Sequence, residues 1–103
     1  MNQEQAILNL LGIAASARKV VTGEEQVVKE VRNQQAKLVI LSTDASKNTR
    51  KKLTDKCHSF HVELHEFSTR DVLGHALGRE ARVSVAIMDS GFARKLSQLL
   101  NEI

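Results

Sequence analysis

The strongest constraint in this chain is an unbroken alternation, over 103 residues, between stretches with helical apolar spacing and short β-branched runs. Ile7, Leu10, Leu11 and Ala14 recur every three or four positions, so the spacing predicts an amphipathic helix over residues 3 to 16. Val20-Val21 follows as a brief strand. Thr22-Gly23-Glu24-Glu25 has the form of a capping box, and Val27, Val28 and Val31 behind it share one face of a second helix. Lys37 to Leu41 is short, β-branched at its centre and bounded by polar residues, the pattern of a strand buried on both faces. Asp44 is placed to cap a third helix, in which Ala45, Thr49, Leu53 and Cys57 form a thin apolar stripe and Lys47, Arg50, Lys51 and Lys52 stay in water. Val62 to His65 alternates apolar and polar, as a half-exposed strand near a sheet edge would. Ser68-x-x-Asp71 opens a fourth helix carrying Val72, Leu73, Ala76 and Leu77, with Gly78 at its stop. Val83 to Met88 is a further strand, and Phe92, Leu96, Leu99 and Ile103 mark a final helix.

An α-β-α-β-α-β-α-β-α order of this kind predicts an α/β fold, a three-layer α-β-α sandwich with a mixed four-stranded sheet between helices. The length suits one domain over residues 1–103, and no linker, repeat or low-complexity segment interrupts it. With aromatics at 3% and no Trp or Tyr, the core must come from Val, Leu, Ile and Ala. The same scarcity argues against stacking unpaired bases on aromatic platforms. Met1 to Gln5 is polar and no run approaches the roughly 20 apolar residues that span a bilayer, so a cytoplasmic protein without a membrane partner is expected, a monomer being the simplest state.

No catalytic set emerges. The lone Cys57 lacks a recognisable base, Ser42, Thr43 and Asp44 read as a strand-to-helix turn, and neither phosphate-loop pattern is present. A small α/β enzyme or phospho-receiver would need clustered acidic or nucleophilic residues at strand ends, and Asp44 and Asp89 stand alone. His58, His61 and His65 lack a second cysteine and read as surface residues, so neither a metal nor another cofactor is expected.

The net charge of +3 favours association with polyanions, and its placement says more than its size. The most informative stretch runs from Ala17 to Lys29, where the basic turn Arg18-Lys19 leads through Thr22 into a helix opened by Gly23. Free N–H groups and the positive dipole end there can receive a phosphate or a base acceptor, while Lys29 lies one to two turns along. Glu24, Glu25 and Gln26 add acceptors for amino groups on base edges. The plainer reading is a capped helix whose lysine is merely solvated.

In order and spacing the chain resembles the kink-turn RNA-binding ribosomal-protein family of the L7Ae and L30e type. Gly23 matches the family's helix-opening glycine, Lys29 its lysine, and Ala36-Lys37-Leu38-Val39-Ile40 the strand that follows. Asp71-x-Leu73-Gly74 and Ser84-Val85-Ala86-Ile87 match its later helix and last strand. The resemblance is closer still to the bacterial YlxQ branch, carried by Ala17 to Gly23, Asp44 to Lys52, and Gly91 to Ala93. It implies an α-β-α sandwich and a non-enzymatic protein that grips a sharp RNA bend containing tandem sheared G·A pairs, ribosomal RNA being one such partner. The helix start at Gly23 would enter the widened groove, with Glu25 and Gln26 facing base edges. Arg18, Lys19, Lys29, Arg79 and Arg82 would fix the backbone. The sequence departs from the family where Glu25-Gln26 replaces Asn-Glu, and where the Gly78 to Val83 loop is charged rather than small and apolar. The competing class is a protein-interaction module on the same scaffold, since sites diverge on retained folds.

Overall fold

The computed structural model describes residues 2–103, and Met1 lies outside them. Helix α1 (Gln3–Ser16) is capped by Asn2, whose side chain accepts from the Gln5 N–H, and buries Ile7, Leu11 and Ala14 along one stripe. The chain then turns through Arg18 at φ +60° into β1 (Val20–Thr22). There follow α2 (Glu24–Arg32), β2 (Leu38–Leu41), α3 (Lys47–Ser59), β3 (Glu63–Glu66), α4 (Arg70–Ala76), β4 (Ser84–Ile87) and α5 (Ser90–Asn101).

The sheet has four strands in the order β1-β4-β2-β3. Strand β2 runs parallel to β3 and antiparallel to β4, which is itself antiparallel to β1, so the sheet is mixed. The two central strands, β2 and β4, are buried at every position, as the apolar runs Leu38–Leu41 and Val85 to Ile87 require, with Ser84 a buried polar residue at the start of β4. Alternation along β2 divides the core in two. Leu38 and Ile40 pack with Ile7, Leu11, Leu73 and Leu96 beneath α1, α4 and α5. Val39 and Leu41 pack with Val27, Val31, Leu53 and Cys57 beneath α2 and α3. The result is the three-layer α-β-α sandwich that the order of elements implies.

Four local expectations are corrected. Thr22 does not cap α2: it is the last paired residue of β1, opposite Val85, and Gly23 is the N-cap, with no side-chain bond to the helix. Asp44 does not cap α3 either. Ser46 does so, accepting from the Thr49 N–H, while the Asp44 carboxylate crosses to the start of α4 and accepts from the Arg70 N–H at 3.1 Å. The cap of α4 is Thr69 rather than Ser68, which sits at φ +60° in the turn before it. Finally, α5 ends at Asn101, so Leu100 takes the buried position and Ile103 is 65% exposed.

The end of α4 sets the loop that follows. Gly78, at φ +72°, donates to the His75 carbonyl and Arg79 to the Gly74 carbonyl, the paired bonds of a Schellman stop. Leu77 is buried at this corner, and the loop from Arg79 to Arg82 turns back toward β1.

Candidate nucleic-acid interface

At the start of α2 the backbone does something only glycine does without strain. Gly23 adopts φ +92° and ψ 140°, and an added Cβ would meet nothing within 4 Å, so conformation and not space dictates the residue. No side chain caps the helix, so its first-turn N–H groups are left without a capping acceptor, while the Glu24 and Glu25 carboxylates in the same turn offset part of the positive dipole end.

Arg82 stands over this point. Its Nε donates to the Thr22 hydroxyl at 3.1 Å, and its Nη1 donates to the carbonyls of Glu80 and Ala81 at 3.3 and 2.9 Å. The guanidinium is thus fixed by neutral acceptors and paired with no carboxylate among the described residues, which leaves its charge for an external anion. Two open grooves of about 590 Å³ each meet at Thr22 and Arg82. One is bordered by Arg18, Gln26, Leu77 and Arg79; the other by Gly23, Glu24, Ser46, Thr49 and Arg70.

Of the residues singled out in the sequence, the structure brings Arg18, Thr22, Gly23, Glu24, Gln26, Arg79 and Arg82 to these two grooves. Lys29 is exposed on α2 one turn beyond Gln26, and Glu25 is exposed on the first turn; neither lines a groove. Lys19 is exposed at the far end of β1, where its carbonyl accepts from the Met88 N–H at 2.7 Å.

Glu24 is committed elsewhere. It accepts from the Thr49 hydroxyl at 2.8 Å and from Lys52 Nζ at 3.1 Å, tying the start of α2 to α3. The Thr49 hydrogen bond first, and that from Lys52 second, hold its carboxyl below the ordinary value of 4.5. Ser46, Thr49 and Arg70 are groove residues that sequence reasoning did not connect with the site. Arg70 reaches it because its backbone and guanidinium are anchored on Asp44, 26 positions away, a pairing without local signature.

Other features offer less. A larger groove of about 940 Å³ between α1 and α4 has no Lys, Arg, Asp or Glu in its lining, which includes Leu8, Ile13, Val72 and Ala76, so it offers no counterion to phosphate. Cys57 is buried and its thiol is pushed up to about 11 by desolvation, far from thiolate chemistry at neutral pH. Among the described residues no three His, Cys, Asp or Glu side chains gather as a metal site, and no helix is long and apolar enough to cross a membrane.

Residues 5–97 match the model of the ribosomal protein L7Ae/L30e/S12e/Gadd45 family. The chain is 56% identical over 92 residues to a Bacillus subtilis (strain 168) protein named RNA-binding protein YlxQ, covering 89% of this chain and 92% of that one. An Enterococcus faecium protein of the same name is 38% identical over 96 residues, covering 93% and 92%. Among solved structures, a protein of unknown function from Bacillus halodurans superposes with a TM-score of 0.91 at 50% identity, over 92% of this chain and 96% of that one. A Giardia lamblia 15.5kD RNA binding protein superposes with a TM-score of 0.84 at 20% identity, over 100% and 89%, a likeness of fold.

Proposed function

The chain belongs to the ribosomal protein L7Ae/L30e/S12e/Gadd45 family, and from that premise we propose that it is a single non-enzymatic domain that binds structured RNA of the kink-turn type, ribosomal RNA included. Two relatives carry the name RNA-binding protein YlxQ, which supports RNA as the partner. The observation that carries the reading is the uncapped, glycine-opened start of α2 set against an Arg82 guanidinium that has no carboxylate partner among the described residues.

In this reading the first turn of α2 enters the widened groove beside the sheared G·A pairs. Its N–H groups donate to base or phosphate acceptors, and Gln26 reads a base edge from the same turn. Arg82, Arg79 and Arg18 hold the backbone across the two grooves, with Lys29 extending the contact along α2 and Lys19 adding long-range attraction. Glu25 accepts from guanine amino and imino groups where the family has Asn, a stronger acceptor that repels phosphate. Glu24 acts through the fold by holding the start of α2 on α3.

The test is a Lys29→Ala, Arg82→Ala double variant in a gel-shift series with kink-turn RNA. Loss of two phosphate contacts should weaken binding and reduce the log–log salt slope by roughly 2. Unchanged affinity and slope would remove this model of the site.

A further inference from the structure

Helix α3 carries Lys47, Arg50, Lys51, Lys52 and Lys56 against a single carboxylate, Asp55, and buries only Leu53 and Cys57. Two of these cations belong to the fold. Arg50 is spent on Glu66 at 3.0 Å and on the carbonyls of Thr43 and Ala45, and Lys52 on Glu24. The other three are available. Lys51 pairs with Asp55 at 3.0 Å, but their side chains are 79% and 63% exposed, and such a pair is worth little and readily exchanged. Lys47 and Lys56 have no ion-pair partner among the described residues.

We propose that the outward face of α3 is a second contact strip for RNA, holding the phosphate backbone of a duplex stem that flanks the bend. This extends the RNA reading above and rests on it. Ser46 and Thr49, at the start of α3, border the groove shared with Gly23 and Arg82, so the strip begins where the candidate interface ends. Along the axis Lys47 and Lys56 stand roughly 14 Å apart, and at 3.6 residues per turn exposed Lys47 and Lys51 border the outward face on one edge while half-buried Lys56 borders it on the other. The occupant follows from chemistry. The large hydrophobics that stand exposed are Ile13, Val72 and Ile103, none of them on α3, so the helix has no apolar anchor for a protein. It carries no Phe, Tyr or Trp as a platform for unpaired bases, its one ring being the His58 imidazole in the last turn, and spaced ammonium groups suit a duplex backbone.

The test compares wild type with a Lys47→Gln, Lys51→Gln, Lys56→Gln variant, whose changes lie outside the grooves and outside the Glu24 and Arg50 networks. Both are titrated against a kink-turn RNA with short stems, the same bend with both stems extended, and a plain duplex of the extended-stem sequence. Wild type should bind the extended RNA roughly tenfold tighter than the short one, with a salt slope steeper by about 2 to 3. The variant, matched to wild type in thermal unfolding, should bind both RNAs alike at the wild-type short-stem affinity. No gain from extension in wild type, or a gain that survives in the variant, overturns the strip. Failure of the bend reading is separable, because the short-stem RNA then goes unbound and the plain duplex decides. Duplex binding lost in the variant supports the strip; duplex binding absent from wild type or retained in the variant overturns it.

Discussion

Gly74 offers a test in which two physical effects predict opposite signs. It lies within α4, and on helix propensity alone Gly74→Ala should stabilise the protein by about 0.5–1 kcal/mol. The structure says otherwise. An added Cβ would stand 1.9 Å from the Glu80 carbonyl oxygen, 2.5 Å from its carbon and 2.9 Å from Ala81 Cα, all backbone atoms that cannot rotate aside. Since ordinary contact begins near 3.4 Å, the loop must retreat by about 1.5 Å. That loop is pinned by Arg79 N–H on the Gly74 carbonyl at 2.8 Å and by Arg82 N–H on the Arg70 carbonyl at 2.9 Å, so retreat strains both bonds. Overpacking costs about 1–3 kcal/mol and each weakened bond up to about 1 kcal/mol. After the propensity gain is set against them, the expected net loss is about 2 kcal/mol, or a Tm lower by roughly 8–16 °C for a domain of this size. Urea and thermal unfolding followed by circular dichroism would measure it. Kink-turn affinity, taken well below the variant's Tm, should fall as well, because the displaced loop carries Arg79 and Arg82. A Tm unchanged or raised would refute the steric argument.

Gly23→Ala should also destabilise, by about 1–3 kcal/mol, through backbone strain at φ +92° and not through any clash; urea unfolding with an unchanged m-value would show it. Glu24 has a carboxyl depressed below 4.5, so its stabilising contribution is present above that pH and is lost as the pH falls through its folded value. Unfolding midpoints measured from neutral pH down to about 3 should therefore fall less steeply in Glu24→Gln than in wild type below roughly pH 4.5, and parallel curves would count against the Thr49 and Lys52 bonds. The Cys57 thiol, buried and raised to about 11, should react with a maleimide only as fast as the protein opens, and a rate near that of free cysteine would contradict its placement.

The elements were legible because their signal is periodic. Ile7, Leu11 and Ala14 had to face one side of a helix, and the run from Leu38 to Leu41 had to be central, since no half-exposed strand is apolar at every position. What escaped was end chemistry, where one hydroxyl or carboxylate chooses among partners that sequence distance hides. Thr22 matched a capping pattern, yet strand pairing with Val85 holds it one position too early, and its hydroxyl serves Arg82 instead. Asp44 sits two residues before the true cap of α3 and reaches Arg70, 26 residues on. The candidate site divides the same way. Gly23 could be picked out because a helix-opening glycine is a local pattern, and Arg79 and Arg82 because they stand in the loop that the family resemblance sets beside it. The meeting of Arg82 with Thr22, and the addition of Ser46, Thr49 and Arg70, are products of the sheet order, which places β4 beside β1 and β2.

The most direct measurement of the central claim is a titration of the purified protein against a standard kink-turn RNA and a control in which the G·A pairs are disrupted, at two salt concentrations. The account predicts tight binding to the kink-turn that the control loses at both salts. Equal, salt-sensitive binding to the two would reduce the interaction to general phosphate attraction, and binding to neither would contradict the account and leave a protein-interaction module on the same scaffold.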